Sequence, residues 1–390
     1  MNYKPDILFI IKTIGLEYDD RVRKECNSLK RLKKKVLILF VPDDNKIKKG
    51  ITGYGVPFVS ISLFTRKIFP HKKFLLFKTI EIYIRSLIFL IHTKPKIVWI
   101  HNIETAGMVP ILWVLKKWKY INKFIWDQHE MFPDNILFNH KIHKIINFLF
   151  RMTDHIIVAN NERKDFLLTN LNQIGNSKIK VLENFPDQQF ADLPRKALPA
   201  DVEEWLDGSS YLLAQGGAKF ERYFFNLAES IIETDAIKCI FVGPYNERDV
   251  EILRKRWNKR LDRHLYFTGM VKQMDLAAFI DHALSSIVLY TRDTTNCLLC
   301  APNRMYQAAL RGTMLLVGSN PPMANFVRKS RSGIVLEGDG RDKEDIKRGI
   351  QNIVNEKKRK NNYYLKEYLW EEQDKVIYKM VNEPDSFNED

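Results

Sequence analysis

Short apolar runs alternate with helix-length amphipathic segments along almost the whole of this 390-residue chain, and that alternation leaves few folds open. Residues 7–11 are an unbroken apolar run, followed by a loop at Thr13, Ile14 and Gly15. From residue 20 to 33 the apolar residues Val22, Cys26, Leu29 and Leu32 recur at helical spacing, and residues 36–41 are apolar again. Runs that are apolar on both faces fit strands buried on both sides, as in a parallel sheet. The same unit recurs, predicting strands at 97–100, 124–126, 156–159 and 179–182, with helices at 105–115, 142–150 and 163–171. Strand–helix–strand alternation of this kind implies a parallel sheet covered by helices on both faces.

The pattern stops after Asn184-Phe185-Pro186-Asp187. Residues 186–208 carry Pro186, Pro194 and Pro199 among mixed charges and read as an interdomain linker. A second series then predicts strands at 211–214, 238–242, 265–267, 286–289 and 314–317, with helices at 221–232, 249–257, 274–281 and 303–310. Residues 358–380 read as a charged amphipathic helix. The fold class is α/β, with two tandem doubly wound (Rossmann-like) domains, which suits a chain too long for one ordinary domain. Ligands of open parallel sheets bind beyond the carboxyl ends of the strands, so the site is expected in a cleft where two such edges meet.

Composition narrows the function classes. With 45% hydrophobic and 12% aromatic residues the chain can bury two cores, which excludes disorder and low-complexity architecture. The 62 Lys and Arg outnumber the 47 Asp and Glu, and the excess is local: residues 1–199 hold 34 basic and 18 acidic side chains, the remainder 28 and 29. The first half therefore faces something anionic. Four cysteines with a lone Cys297-x-x-Cys300 pair give neither a disulfide framework nor a zinc site. The N-terminal apolar run is too short for a secretory signal. Residues 74–91 are the most apolar long stretch, but Lys78, Glu81 and Arg85 place charge on one helical face, which argues for an amphipathic helix rather than a spanning one. Nucleic-acid binding rests on charge alone, with no recognised motif behind it.

Three strand-end loops could carry chemistry. Gln215-Gly216-Gly217 leads through Glu221 and Arg222 into a predicted helix; adjacent glycines permit close backbone approach, and a cation in the first helical turn is favourable when an anion sits beside it. The alternative is a tight turn with a solvated arginine paired to Glu221. Pro302-Asn303-Arg304-Met305-Tyr306-Gln307 opens a helix ended by Gly312, and its first turn with Asn303 and Arg304 could help clamp a diphosphate; alternatively Arg304 is a surface residue. In the first half, a strand runs into Asp127-Gln128-His129-Glu130, ionisable groups placed for acid/base work or for capping the next helix. Asn102 ends the neighbouring strand, and Asp20 opens the first helix, either as its N-cap or as a site residue. The spacing of these groups does not suggest a metal.

These residues resemble the GT-B glycosyltransferases, in particular the family 4-like branch. Asp19-Asp20-Arg21-Val22 is similar to the family's D-x-R-V helix start, Asp127 to Pro133 to its D-x-H-E-aromatic turn, Gly216-Gly217 with Arg222 to its phosphate loop, Pro302 to Gln307 with Gly312 to its P-N-K-x-[FY]-E helix, and Leu369 to Gln373 to its closing W-e-e-q segment. The resemblance spans essentially the whole chain in order. It implies an acceptor-side domain over residues 1–190, onto which 366–390 return, and a nucleotide-sugar domain over 191–365. It further implies that Arg222 and Arg304 hold the pyrophosphate of a UDP- or GDP-sugar, with Gly216, Gly217 and Asn303 beside them and Gln307 at the ribose. His129, with Glu130 and Asp127, faces the reacting sugar or acceptor, and Gly15, Asp20 and Asn102 lie on the acceptor side. The sequence departs from the family where Gln307 replaces Glu, Arg304 replaces Lys, Leu299 replaces an acidic residue and Asn102 replaces Asp.

Such a chain is expected to transfer sugar without a metal or other cofactor, since no D-x-D motif is present, and with retention of configuration. Between residues 45 and 125 there are 15 Lys and Arg against Glu81 and Glu104 only, interleaved with aromatics. That composition fits an anionic membrane surface and a lipid-linked or glycan acceptor, hence a cytoplasmic protein on the inner face of the membrane with no nucleic-acid partner. The alternatives are a nucleotide-sugar epimerase or a binding protein with impaired catalysis.

Overall fold

The computed structural model describes residues 4–13, 15–42, 45–46, 48–69, 74–171, 175–356 and 366–382. Ile14 and the stretches 358–365 and 383–390 of the expected C-terminal segment lie outside the described residues. The chain divides into two compact units, residues 1–183 with 373–390 and residues 184–372.

The first unit is built on eight strands: β1 (Ile7–Lys12), β2 (Val36–Val41), β3 (Lys49–Ile51), β4 (Pro57–Ser60), β5 (Ile97–His101), β6 (Lys123–Asp127), β7 (His155–Val158) and β8 (Ile179–Val181). Their order is β3-β4-β2-β1-β5-β6-β7-β8, and every pairing is parallel except that of β3 with β4. The central strands are buried along their length; β2, sequence VLILFV, has no exposed residue. Nothing but an unbroken apolar run could occupy that position, because helices cover both faces of the sheet. Successive crossovers move outward in one direction from β1 and in the other from β5, so the order reverses between these two strands.

The second unit repeats the plan with six parallel strands: β9 (Tyr211–Gln215), β10 (Lys238–Val242), β11 (Leu265–Gly269), β12 (Ser285–Val288), β13 (Met314–Val317) and β14 (Gly333–Val335). Their order is β11-β10-β9-β12-β13-β14, with the reversal between β9 and β12. Two doubly wound α/β units are thus present, as the alternation predicts.

Three expectations need correction. Residues 186–208 are not a linker: they form helices Gln188–Ala191 and Ala200–Leu206, and Phe190, Leu198, Val202 and Leu206 are buried in the core of the second unit. Arg311 pins this segment by donating to the carbonyls of Phe190, Ala191 and Leu193 while pairing with Asp281 at 2.5 Å. The division between units accordingly falls after Glu183, and residues 366–372 pack with the second unit rather than the first. The C-terminal segment is not one helix over its described part but two short 3-10 turns followed by the helix Asp374–Asn382.

Candidate functional site

In each unit the polar residues gather where the strand order reverses, at the carboxyl ends of the strands, where diverging loops leave a crevice.

In the second unit, β9 ends at Gln215 and turns through Gly216 and Gly217, both at positive φ (+91° and +89°), a conformation that glycine adopts without strain. Their N–H groups both donate to the carbonyl of Val242 at the end of β10, so this turn is fixed by the neighbouring strand rather than left open for a ligand. The space a side chain at Gly216 would need is filled by two guanidinium groups: a Cβ there would lie 2.5 Å from an Nη atom of Arg222 and 2.5 Å from one of Arg304. At Gly217 a Cβ would collide with the carbonyl of Pro244. The glycines make room for the two arginines and for the adjacent loop.

Arg222 does not sit in the first turn of an α-helix, as the sequence suggests. It ends a 3-10 turn, Phe220–Arg222; Tyr223 follows at φ +52°, and the helix starts at Phe224. The backbone N–H of Thr291, beyond β12, donates to the Glu221 carbonyl and ties this turn to the next loop. Arg304 lies in the first turn of the helix Asn303–Leu310, whose N-terminus has no side-chain cap. Tyr290 lies beside both cations: its ring centroid is 4.8 Å from the Arg304 guanidinium carbon and 5.7 Å from that of Arg222. Cation–π attraction partly offsets the burial of Arg304 and the half-burial of Arg222. Among the described residues neither arginine makes an ion pair with a carboxylate, and Arg222 Nη1 and Arg304 Nε are buried without a hydrogen-bond partner. Burial, with Arg222 alongside, pulls the Arg304 pKa below its usual value against the opposing pull of Tyr290. Gln307 and Gln215 also carry buried side-chain amide atoms without partners. Buried polar groups are almost always hydrogen-bonded, and buried like charges are costly; together these orphaned donors describe a cradle for an anion.

The first unit gathers a different set. Arg21, in the helix Asp20–Arg31, donates to Glu25 (2.8 Å), to both carboxylate oxygens of Asp127 (3.1 and 3.4 Å) and to the Leu182 carbonyl (2.7 Å). His101 Nε2 lies 3.6 Å from Glu25 and its Nδ1 3.7 Å from Asp127. Arg21, Glu25, His101 and Asp127 are all buried. Burial would raise the Asp127 pKa, but Arg21 and then His129 hold it well below the carboxylate range. Burial and Asp127 push Glu25 well above that range, and burial takes His101 down to about 3. The opposite shifts of Glu25 and Asp127 come from two carboxyl groups sharing the single Arg21 guanidinium. His129 extends from this base, its Nδ1 3.5 Å from Asp127, and its side chain is one-fifth exposed. Arg163 donates to the His129 carbonyl. Glu130 points to solvent.

No protein-family model matches the sequence, and no curated protein matches it either. Solved structures do match. Sucrose-phosphate synthase from Thermosynechococcus elongatus aligns over 96% of this chain and 94% of its own, with TM-score 0.66 at 12% identity. Trehalose 6-phosphate synthase from Burkholderia multivorans covers 98% and 96%, with TM-score 0.68 at 9% identity. The Anabaena protein HepE in complex with UDP covers 96% and 95%, with TM-score 0.65 at 10% identity.

The fold is GT-B. Similarity at these identities describes architecture, and it runs through both units.

Of the expected donor residues, Arg222 and Arg304 meet at Gly216, Gly217 follows in the same turn, and Asn303 and Gln307 share the helix of Arg304. The expected first-unit residues separate into groups. Asp127 and His129 share the buried cluster, whereas Glu130 does not. Asp20 is not the N-cap of its helix. Asp19 caps it, accepting from the Val22 N–H at 3.1 Å, while Asp20 pairs with Arg23 at 2.7 Å and Lys24 at 3.0 Å, and these cations bring its pKa down to about 2 despite burial. Gly15 is in extended backbone before a 3-10 turn. Asn102 stands at φ 59°, ψ 177°, a region almost confined to glycine, with its Oδ1 buried and without a hydrogen-bond partner. Its N–H donates to the Asp127 carbonyl and its own carbonyl accepts from Trp126.

Tyr290 and Glu25 were not singled out from the sequence, and Gln215 and Arg21 stood there only as members of motifs, without a role of their own. His101 and Asp127 are register partners on β5 and β6, a relationship that spacing along the chain does not reveal. With His129 they bring ligand atoms within 4.8 Å of one another. Arg21 already neutralises both oxygens of Asp127, so a divalent cation there would face a guanidinium across the same carboxylate.

Proposed function

We propose that this chain transfers a glycosyl group from a nucleoside diphosphate sugar to an acceptor hydroxyl. The observation that carries the reading is the Arg222–Arg304 pair, a half-buried and a buried cation set against Gly216 and Tyr290 with no carboxylate partner among the described residues. A diphosphate supplies the missing charge. The GT-B fold supports the same reading, since proteins sharing it include sugar-phosphate synthases and one bound to UDP. Gln307 and Gln215, with unused amide groups, would meet the ribose and neighbouring hydroxyls.

The chemistry follows from where charge develops. The bond between the anomeric carbon and the diphosphate oxygen breaks, and the diphosphate leaves with the electron pair. Two preformed guanidinium groups bind that growing charge more strongly than they bind the intact donor, which lowers the barrier. In this reading they take the part a divalent metal would otherwise play. The acceptor oxygen bonds to the anomeric carbon on the face the diphosphate leaves, so configuration is retained, and its proton passes to the departing phosphate. His129, oriented by Asp127, and Asn102 bind hydroxyls on the acceptor side. Asp127 is a positioning residue in this scheme, because its oxygens are committed to Arg21. The acceptor is lipid-linked, and the protein works at the inner face of the cytoplasmic membrane; the basic composition of residues 45–125 supports this.

A thermal-shift panel of UDP-, GDP-, CMP- and dTDP-sugars tests the reading. A ligand at a hundred times its dissociation constant stabilises the native state by about 2.7 kcal/mol, so one diphosphate member should raise the melting temperature clearly. If none of them does, the assignment of the cradle fails.

A further inference from the structure

The helix Leu75–Thr93 presents its apolar side to solvent. Phe77, Ile80, Ile84, Ile88 and Ile91 are all exposed, Ile84 and Ile88 by 53% and 52%. Their spacings of three and four residues set them in one stripe, running about 20 Å along the helix at 1.5 Å per residue. The opposite side meets the protein: Leu90 is in the core, Ile82, Leu87 and Phe89 pack against it, and Lys78 and Ser86 are buried. The charge that the sequence suggests should face water is instead drawn to the flank. Glu81 accepts from the N–H groups of Phe64 and Thr65, from the Thr65 hydroxyl and from Arg85. At the N-terminal end of the stripe Phe69, Phe74 and Phe77 form a ring cluster with centroids 4.6 to 6.4 Å apart, and Phe64 and Ile68 are exposed beside it.

A stripe this long is not the scattered surface apolar residue of an ordinary soluble face. Its surroundings say what covers it. Lys67, Arg85, His92 and Lys94 are exposed around it, within a segment carrying 15 basic and two acidic residues. A second copy of the chain would bring the same positive rim and repel it; an anionic bilayer matches both the rim and the stripe. Among the described residues no helix is long and apolar enough to cross a membrane, so the contact lies in the plane of the surface.

We propose that helix Leu75–Thr93, with the Phe64–Phe74–Phe77 tip, is an in-plane anchor that seats its isoleucine stripe among the acyl chains of an anionic bilayer. The anchor requires nothing of the arginine cradle, so its test stands apart from the sugar-transfer reading.

Co-sedimentation of the full chain with vesicles provides that test, using phosphatidylcholine alone and phosphatidylcholine doped with phosphatidylglycerol. The chain should sediment with the anionic vesicles and far less with the neutral ones. The triple variant Ile80→Ser, Ile84→Ser, Ile88→Ser should lower vesicle partitioning at least about tenfold while keeping its melting temperature and its nucleotide-induced thermal shift. Lys67→Glu with Lys94→Glu should weaken binding to anionic vesicles and leave the neutral ones unchanged. In a Phe77→Trp variant the indole emission should shift to the blue on vesicle addition. Absence of sedimentation with anionic vesicles overturns the proposal, as does a triple variant that binds like the parent. A concentration-dependent dimer abolished by the triple variant, without vesicle binding, would assign the stripe to a second copy instead.

Discussion

Arg222 and Arg304 meet over a single glycine: each places an Nη atom 2.5 Å from the point where a Cβ on Gly216 would stand. Two chain segments more than eighty residues apart thus converge on one methyl-sized space, and the cost of keeping like charges there falls on the ligand-free protein. Stability and binding should therefore respond in opposite directions to loss of either side chain.

Arg222→Ala and Arg304→Met should each weaken nucleoside diphosphate binding by roughly ten- to hundredfold, the worth of a charge-assisted hydrogen bond of about 1.5–3 kcal/mol. Neither should lower the melting temperature of the ligand-free protein, because each relieves repulsion. Titration calorimetry and a ligand-free melt read the two effects separately.

Gly216→Ala should harm both. The residue sits at φ +91°, where a side chain costs about 1–2 kcal/mol, and its Cβ would displace both guanidinium groups. Expected outcomes are a lower melting temperature and loss of the nucleotide-induced shift.

Asn102→Gly isolates backbone strain from side-chain chemistry. The φ 59°, ψ 177° conformation suits glycine, so stability should rise by about 1 kcal/mol. Turnover should fall if Oδ1 holds a hydroxyl, and steady-state kinetics alongside denaturant unfolding distinguishes the two.

Acid should unfold the first unit through His101. Burial lowers its pKa from 6.5 to about 3, so between these values the unfolded chain binds a proton that the folded chain refuses. Stability conferred by neutral His101 is complete above pH 6.5 and declines as pH falls toward 3. His101→Gln should flatten the stability profile across that interval, measured by urea unfolding at successive pH values.

Arg311→Ala should be among the most damaging single changes in the second unit. It leaves Asp281 buried without its partner and releases three carbonyls of the 190–193 segment, at a cost of about 3–5 kcal/mol. Chemical denaturation checks the magnitude.

Much of the architecture was legible because central strands of a parallel sheet must be apolar throughout. Residues 36–41, 238–242 and 314–317 were delimited to the residue from composition alone. Strands β3 and β4 escaped notice because they lack such a run: β3 is Lys-Gly-Ile and β4, beside it, opens with proline. The prolines of 186–208 concealed a packed segment whose signal lay in Phe190, Leu198, Val202 and Leu206. In the candidate site, Arg222 and Arg304 were readable because each lies in a local motif. Arg21 lies in a motif as well, but its role was not readable, since its partners Asp127 and Leu182 are 106 and 161 positions away. Tyr290, a lone aromatic beyond a strand, has no neighbour in sequence that would single it out.

The side chain of Gln373 grips the backbone of Glu183 twice, accepting from its N–H at 2.6 Å and donating to its carbonyl at 3.0 Å. A few residues further along each path, Trp370 donates to the Pro186 carbonyl and Glu371 accepts from the Gln188 N–H. The polypeptide thus departs from the first unit and comes home to it through a single doorway. Residues 184–372 are topologically a guest sequence spliced into a host, with both of its ends at one place. Splicing a short glycine bridge from Glu183 to Gln373 would close the host without stretching it, and the guest could be grafted or permuted through the same doorway.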